Sequence, residues 1–213
     1  MRKTSWFVSL YFVFVCIFFL SCPGLLEASE QKAVFAGGCF WCLEHDLEDI
    51  PGVLSVDSGY TGGDISNPTY RNHLGHQEAV ILYFDSSEVS YQKLLRSYWR
   101  NVDPLDGDGQ FCDRGDSYRP VIFTIDKNQR NDAIVSAQEV AMELDKPIQS
   151  LKVEIKDLKR FWLAEEYHQN FAKRNRLKYN FYRNSCGRDR RLDAVWGERA
   201  RTDRKWSNNI PQM

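Results

Sequence analysis

The chain has 213 residues, 43% hydrophobic and 14% aromatic, enough for one well-cored domain with appended segments. Its 28 Lys and Arg balance 29 Asp and Glu, so it lacks the basic field that nucleic-acid binding requires. No Gly-x-Gly-x-x-Gly and no phosphate loop occurs, so no cofactor is implied and the chemistry falls to side chains.

Taken in chain order, Arg2 and Lys3 precede an apolar run from Trp6 to Leu20, followed by Ser21-Cys22. This reads as the charged and apolar regions of an export signal, too short and too near the start for a membrane span. Phe19-Leu20-Ser21-Cys22 resembles a lipoprotein processing site, which gives a signal over 1–22 and a lipid on Cys22 as membrane attachment. Ordinary cleavage after Ala28 is the alternative. Either way the expectation is an exported protein of a bacterial periplasm or cell envelope, with 26 basic and 29 acidic residues left beyond residue 22.

Residues 32–36 read as a strand that runs into Gly37-Gly38. Cys39 then opens a helix predicted over 39–50, with Leu43, Leu47 and Ile50 on its apolar side. A cysteine there sits among unpaired N–H groups at the positive end of a helix dipole, which favours the nucleophilic thiolate. Phe40 and Trp41 supply an aromatic wall for a small apolar group. Further strands are predicted at 52–60, 78–84, 120–125 and 153–155, and helices at 91–100, 128–144 and 165–176. The last has Tyr167 and Phe171 on one face. Loops at 59–77 and 103–118 are long for connectors, and such loops are commonly functional. Strands and helices in mixed order predict an α+β fold, a sheet with helices packed on it. The chain beyond Trp196 turns polar, and 201–213 is expected to be loosely ordered.

Cysteines fall at 16, 22, 39, 42, 112 and 186. The four beyond the leader are too few for a disulfide scaffold and fit redox use instead. Around Cys39 the loops offer Tyr60, Tyr70, His73, His76, Asp113, Tyr118 and Arg119, with Glu78 at the head of an apolar strand. A half-buried Glu78 would hold its proton at neutral pH and act as an acid; the other reading is a solvent-facing strand end. Asp113 is open between a site residue and a turn-forming one. Cys39 and Cys42 with His73 and His76 meet the ligand count of a zinc site, with a tighter His spacing than usual. A Cys–His hydrolase pairing Cys39 with His76 or His168 is a further rival.

Several motifs in one order resemble the A-type peptide-methionine sulfoxide reductases. They are Gly38-Cys39-Phe40-Trp41, Gly59-Tyr60-Thr61-Gly62-Gly63, Asn67-Pro68-Thr69-Tyr70-Arg71, Gly75-His76-Gln77-Glu78-Ala79-Val80 and Asp113-Arg114-Gly115-Asp116-Ser117-Tyr118-Arg119. Ala164-Glu165-Glu166-Tyr167-His168-Gln169 and Ser185-Cys186-Gly187-Arg188-Asp189 continue the match. The resemblance implies a single-domain, two-layer sandwich of ferredoxin-like type with a mixed sheet and added elements, a catalytic domain over 32–197 and a polar tail over 198–213. It implies reduction of the S-epimer of methionine sulfoxide, free, in peptides or in oxidised proteins, with thioredoxin-like reductants and no metal.

By the same resemblance Cys39 is the nucleophile, Glu78 the proton donor, Tyr70 and Tyr118 bind the sulfoxide oxygen, Asp113 positions substrate and water, and Phe40 and Trp41 hold the methyl group. The resulting sulfenic acid needs a second thiol. Cys186 is the expected resolving residue, with Cys42 and Cys112 as alternatives; many relatives have Gly where this chain has Cys42. A relative that binds methionine-containing peptides without turnover is the competing class, and the presence of every motif residue argues against it.

Overall fold

The computed structural model describes residues 30–203. The leader, Cys22 and its two expected processing sites lie outside these residues, as does the tail beyond Asp203.

Eight strands and six α-helices follow in order: β1 (Glu30–Ala36), α1 (Phe40–Leu47), β2 (Val53–Thr61), β3 (Gln77–Asp85), α2 (Tyr91–Trp99), β4 (Gly109–Gln110), β5 (Asp113–Arg114), β6 (Val121–Thr124), α3 (Lys127–Glu143), β7 (Glu154–Asp157), β8 (Phe161–Leu163), α4 (Phe171–Arg174), α5 (Arg176–Cys186) and α6 (Arg188–Trp196). The main sheet has the order β7-β6-β1-β3-β2-β8. All neighbours are antiparallel except β6 and β7, so the sheet is mixed. The inner order β6-β1-β3-β2, with α1 and α2 as crossovers, is the ferredoxin-like arrangement expected; β7, β8 and the C-terminal helices are additions to it.

The period of two along a strand sorts residues between the faces. On β1, Ala33 and Phe35 join the main core with Val80, Leu82 and Phe84 of β3, beneath residues of α1, α2 and α3. Val34, Ala36, Ala79 and Ile81 pack on the opposite face with Val121 and Phe123. Glu78 continues the row Val80-Leu82-Phe84, so alternation alone turns its carboxyl towards the helices and away from water. On β2 a bulge between Val53 and Ser55 shifts the register, leaving Leu54 exposed and turning Val56 into the core.

Helix starts follow local chemistry. Ser90 Oγ accepts from Lys93 N–H at 3.2 Å at the head of α2, and Asp126 Oδ1 accepts from Gln129 N–H at 2.8 Å at the head of α3. Tyr98 stacks on Phe35 with ring centroids 4.8 Å apart and donates its hydroxyl to Ala36 O at 2.8 Å, fixing the strand end just before the paired glycines.

The helix predicted over 165–176 is not continuous. Glu166–His168 form one short 3-10 turn, Asn170 is left-handed at φ 52°, and only then does α4 begin. Its polar side chains are engaged elsewhere. Gln169 exchanges two hydrogen bonds with the Ser58 backbone (Ser58 N–H to Oε1 at 2.9 Å, Nε2 to Ser58 O at 3.0 Å), and Glu165 accepts from Tyr60 O–H and Tyr70 N–H, each at 3.0 Å. Phe171 is buried and Tyr167 is exposed, so the two do not share a buried face. Ala200, beyond the expected boundary at 197, is buried in the main core, and Arg201 N–H bonds Arg100 O at 2.9 Å.

Candidate active site

Gly37 and Gly38 let β1 turn sharply into α1. A Cβ on Gly37 would stand 2.6 Å from Val102 Cγ1. Gly38 has φ +86°, and a Cβ there would stand 2.8 Å from that of buried Gln110. Cys39 is the N-cap of α1, with extended backbone and no capping bond from its sulfur. The N–H groups of this turn find carboxyl groups instead: Phe40 N–H donates to Glu78 Oε2 at 3.1 Å, and the Cys39 N–H to Asp113.

Cys39, Phe40, Trp41, Tyr70, Glu78, Asp113, Tyr118 and Tyr182 line one pocket of about 70 Å³. All seven catalytic and substrate-binding residues expected from the sequence are therefore brought together from α1, β3, β5 and two loops. The pocket has room for the end of a side chain only.

Glu78 is 1% exposed, which excludes the solvent-facing reading. Burial pushes its carboxyl up to about 8; the Phe40 N–H opposes this, and the nearby negative charges of Asp113 and Cys42 add to it. Burial also raises Asp113, against the Tyr182 hydroxyl, which donates to its Oδ2 at 2.5 Å. Tyr70 and Tyr118 are raised by burial and then by the charge of Glu78, so both remain O–H donors. Near neutral pH the pocket thus holds a protonated carboxyl and hydroxyl donors around one sulfur.

That sulfur does not behave as its helix position suggested. Burial holds the Cys39 thiol well above its usual value, with the hydrogen bond to Cys42 and the charges of Cys42, Glu78 and Asp113 acting in the same direction. Cys42 is lowered by the Cys39 thiol, then by Arg188 and Arg183. The helix-end field acts on both sulfurs of this first turn; Glu78 and Asp113 face Cys39, whereas Cys42 has the two arginines, opposed by its burial and by Asp46.

The aromatic wall is braced from behind. Trp41 stacks on Phe171 with centroids 3.7 Å apart, and its indole N–H donates to His168 Nδ1 at 3.0 Å. His168 is held below its usual range by burial, which keeps it an acceptor. It therefore serves Trp41, not Cys39, and the hydrolase pairing through His168 is absent. His76 is equally occupied, with Gly63 N–H on Nδ1 and Ile65 O on Nε2, while His73 lies on the Thr69 carbonyl and the Tyr60 ring. The zinc constellation does not assemble. Among the described residues the one group spaced to hold a metal is Cys112, Asp113 and Cys186, and its two sulfurs are bonded to each other.

The Cys112–Cys186 disulfide joins the expected resolving residue to one of its two alternatives. Cys186 ends α5, Gly187 makes a left-handed joint at φ 70°, and Arg188 is 1% exposed, donating to Gly37 O and Asn101 O. Arg119, also a candidate, donates instead to Gly107 O at 2.8 Å.

Tyr182 escaped the sequence reading. The available signal was the spacing of Tyr179, Tyr182 and Cys186, which places all three on one side of a helix. Arg188 and Asp46 were missed as well; Asp46 bonds Arg183 at 2.7 Å and approaches Arg188 at 3.4 Å, joining α1 to the C-terminal helices behind Cys42.

Comparison with known proteins agrees with this geometry. The peptide methionine sulfoxide reductase family matches residues 31–200. The peptide methionine sulfoxide reductase MsrA 2 of Caulobacter vibrioides is 51% identical over 179 residues, covering 82% of this chain and 90% of that protein. The structure of methionine sulfoxide reductase A of Corynebacterium diphtheriae superposes with a TM-score of 0.65 at 27% identity, over 70% of this chain and 76% of the other. Mxr1 from Saccharomyces cerevisiae in complex with Trx2 shares the fold, with a TM-score of 0.50 at 18% identity over 68% and 87% of the two chains. A thiol, a buried acid and hydroxyl donors in one small pocket thus occur in a chain that belongs to the peptide methionine sulfoxide reductase family, of the A type.

Proposed function

We propose that the chain reduces the S-epimer of methionine sulfoxide, free or in proteins, through a sulfenic acid on Cys39 that is resolved to an intramolecular disulfide and recycled by a thioredoxin-like dithiol. The observation that carries this reading is the buried Glu78 carboxyl, raised to about 8 and lining the same pocket as Cys39. Sulfoxide oxygen leaves poorly unless protonated, and an acid that keeps its proton at neutral pH supplies that proton.

Cys39 Sγ attacks the sulfoxide sulfur as thiolate. Glu78 gives its proton to the oxygen, which Tyr70 and Tyr118 hold by hydrogen bonds. Phe40 and Trp41 take the methyl group, and Asp113, anchored by Tyr182, orients the polar side. Methyl on one wall and oxygen on the other fix the handedness at sulfur. The substrate S–O bond breaks as the protonated oxygen passes to Cys39 sulfur, the transient bond between the two sulfurs opens, and methionine leaves with Cys39 carrying the hydroxyl. The Trx2 complex of the yeast fold relative supports a thioredoxin-type reductant.

The basic and apolar leader supports export and function in the cell envelope, with a lipid on Cys22 or cleavage after Ala28. The N-terminal mass of the protein recovered from its cells separates the two. The activity is tested by following single epimers of a methionine sulfoxide peptide with dithiothreitol. Loss of reduction in Cys39→Ser with an unchanged circular dichroism spectrum is the expected result; turnover by that variant, or equal rates on both epimers, overturns the reading.

A further inference from the structure

The sulfenic acid needs a partner, and the four described cysteines divide into two pairs. Cys112 and Cys186 are bonded to each other, and Cys39 and Cys42 are free. Cys186 is held on both sides. Before it, Arg183 is tied to Asp46 and Asp189, each at 2.7 Å; after it, Arg188 is buried under the Gly37 and Asn101 carbonyls. To reach Cys39 it must first leave Cys112 and then shift against these ties.

Cys42 needs no such movement. It is the third residue of α1, its thiol is hydrogen-bonded to that of Cys39, and its N–H donates to the Cys39 carbonyl at 3.1 Å. Cys39, as N-cap, has non-helical backbone, so a bond between the two leaves the helix intact. Arg183 and Arg188 face Cys42 and favour its thiolate, the form that attacks.

We infer that Cys42 is the resolving thiol, and that the Cys112–Cys186 disulfide is a standing brace that takes no part in the electron flow. This rests on the sulfenic acid chemistry proposed above. Cys42 sulfur attacks Cys39 sulfur, an S–S bond forms, and the S–O bond breaks. The hydroxyl leaves with one proton as water, and Cys39–SOH plus Cys42–SH becomes the disulfide plus H₂O. A thioredoxin-type dithiol then enters through the pocket and attacks Cys39, the sulfur that lines it. Cys42 departs as thiolate, stabilised by the same arginines. The reductant's two thiols end as its disulfide, and Cys39 and Cys42 as two thiols.

The brace has its own work. Cys112 lies on the turn that carries Asp113, and Cys186 ends the helix that carries Tyr182, with Cys186 Sγ 4.0 Å from Asp113 Oδ2. It therefore clamps the Tyr182–Asp113 side of the pocket. The rival route uses the groove of about 610 Å³ beside Cys186 as the reductant's approach, with Cys112–Cys186 as the cycling bond.

The test reacts the full-length protein with one equivalent of substrate, alkylates it and maps its disulfides by mass. The expected linkages are Cys39–Cys42 together with an undisturbed Cys112–Cys186. Cys42→Ser should yield methionine once per enzyme, leave a dimedone-reactive Cys39 and lose every later thioredoxin-supported turnover. Cys112→Ala/Cys186→Ala should still recycle. A Cys39–Cys186 or Cys39–Cys112 linkage in the unmodified protein overturns the inference whether or not the double variant folds, as does sustained recycling by Cys42→Ser. Absence of both methionine and Cys39 oxidation in the unmodified protein would instead sink the proposed function itself.

Discussion

The main-chain N–H of Phe40 donates to Glu78 Oε2 at 3.1 Å, joining the first turn of α1 to the end of β3. Two influences compete on that carboxyl: the N–H favours its charged form, and burial at 1% exposure favours the acid. Burial wins, and the group stays protonated up to about pH 8. Chemistry that needs this proton should weaken as pH rises through about 8. Glu78→Gln should lower turnover by about 10²–10⁴-fold and remove the alkaline limb. Single-turnover rates between about pH 6 and 9 check this; a limb that persists in Glu78→Gln assigns the acid elsewhere.

The same shift has a stability counterpart. Folded Glu78 titrates near 8 against 4.5 for an unperturbed carboxyl, so between these values the folded state holds the extra proton. Its contribution to stability declines as pH rises across that window. Glu78→Gln should flatten the dependence, as urea midpoints at a series of pH values will record.

Trp41 depends on His168 as an acceptor. His168→Leu leaves a half-buried indole N–H without its partner, a loss of about 1–3 kcal/mol, and frees the ring that holds the methyl group. Steady-state kinetics should show kcat/KM reduced by roughly 10- to 100-fold, mainly through KM. An unchanged KM would mean that stacking on Phe171 alone positions the ring.

Gly38→Ala should be severe for its size. The left-handed backbone costs about 1–3 kcal/mol for a residue with a Cβ. Contact with Gln110 adds about 1–3 kcal/mol, because that side chain is fixed by bonds to Asp103 N–H, Asp103 O and Asp106 O. A lowered denaturation midpoint with reduced thiol reactivity at Cys39 is expected, and wild-type stability would contradict it.

Asp46→Ala removes the carboxylate between two buried guanidinium groups. Arg183 keeps Asp189, so the loss falls on buried Arg188, and a buried charge deprived of its partner typically costs about 3–5 kcal/mol. Thermal unfolding should report the loss, and the Cys42 thiol, relieved of the Asp46 charge that raises it, should become more reactive to iodoacetamide near neutral pH.

What could be read in advance was what a local pattern carries. Two glycines before Cys39 mark the turn, and Glu78 at the head of an apolar strand leaves its burial as one of two readings. The helices α5 and α6 are rich in Arg, Asn and Asp, so hydrophobic periodicity gave little sign of them. β8 has three residues, below the length at which alternation is visible. Tyr182 meets Asp113 across 69 positions and Cys112 meets Cys186 across 74, contacts that only the tertiary fold creates. The helix terminus at Cys39 is visible in the sequence; the burial and the carboxyls that raise its thiol are not.

Arg188 reaches back across 151 positions to the carbonyl of Gly37, and Arg183 across 137 to Asp46. Every strand of the main sheet is in place by Leu163. A chain cut near Asn175 would keep the whole ladder and the row of core residues that ends in Glu78, yet lack Tyr182 and both arginines behind Cys42. Closing contacts so distant in sequence is slow, because the intervening chain must first be ordered. The surroundings of the reactive sulfur pair are therefore complete only once the C-terminal helices dock, and a chain still lacking them carries its cysteines without Tyr182 on the pocket wall or the two arginines behind Cys42.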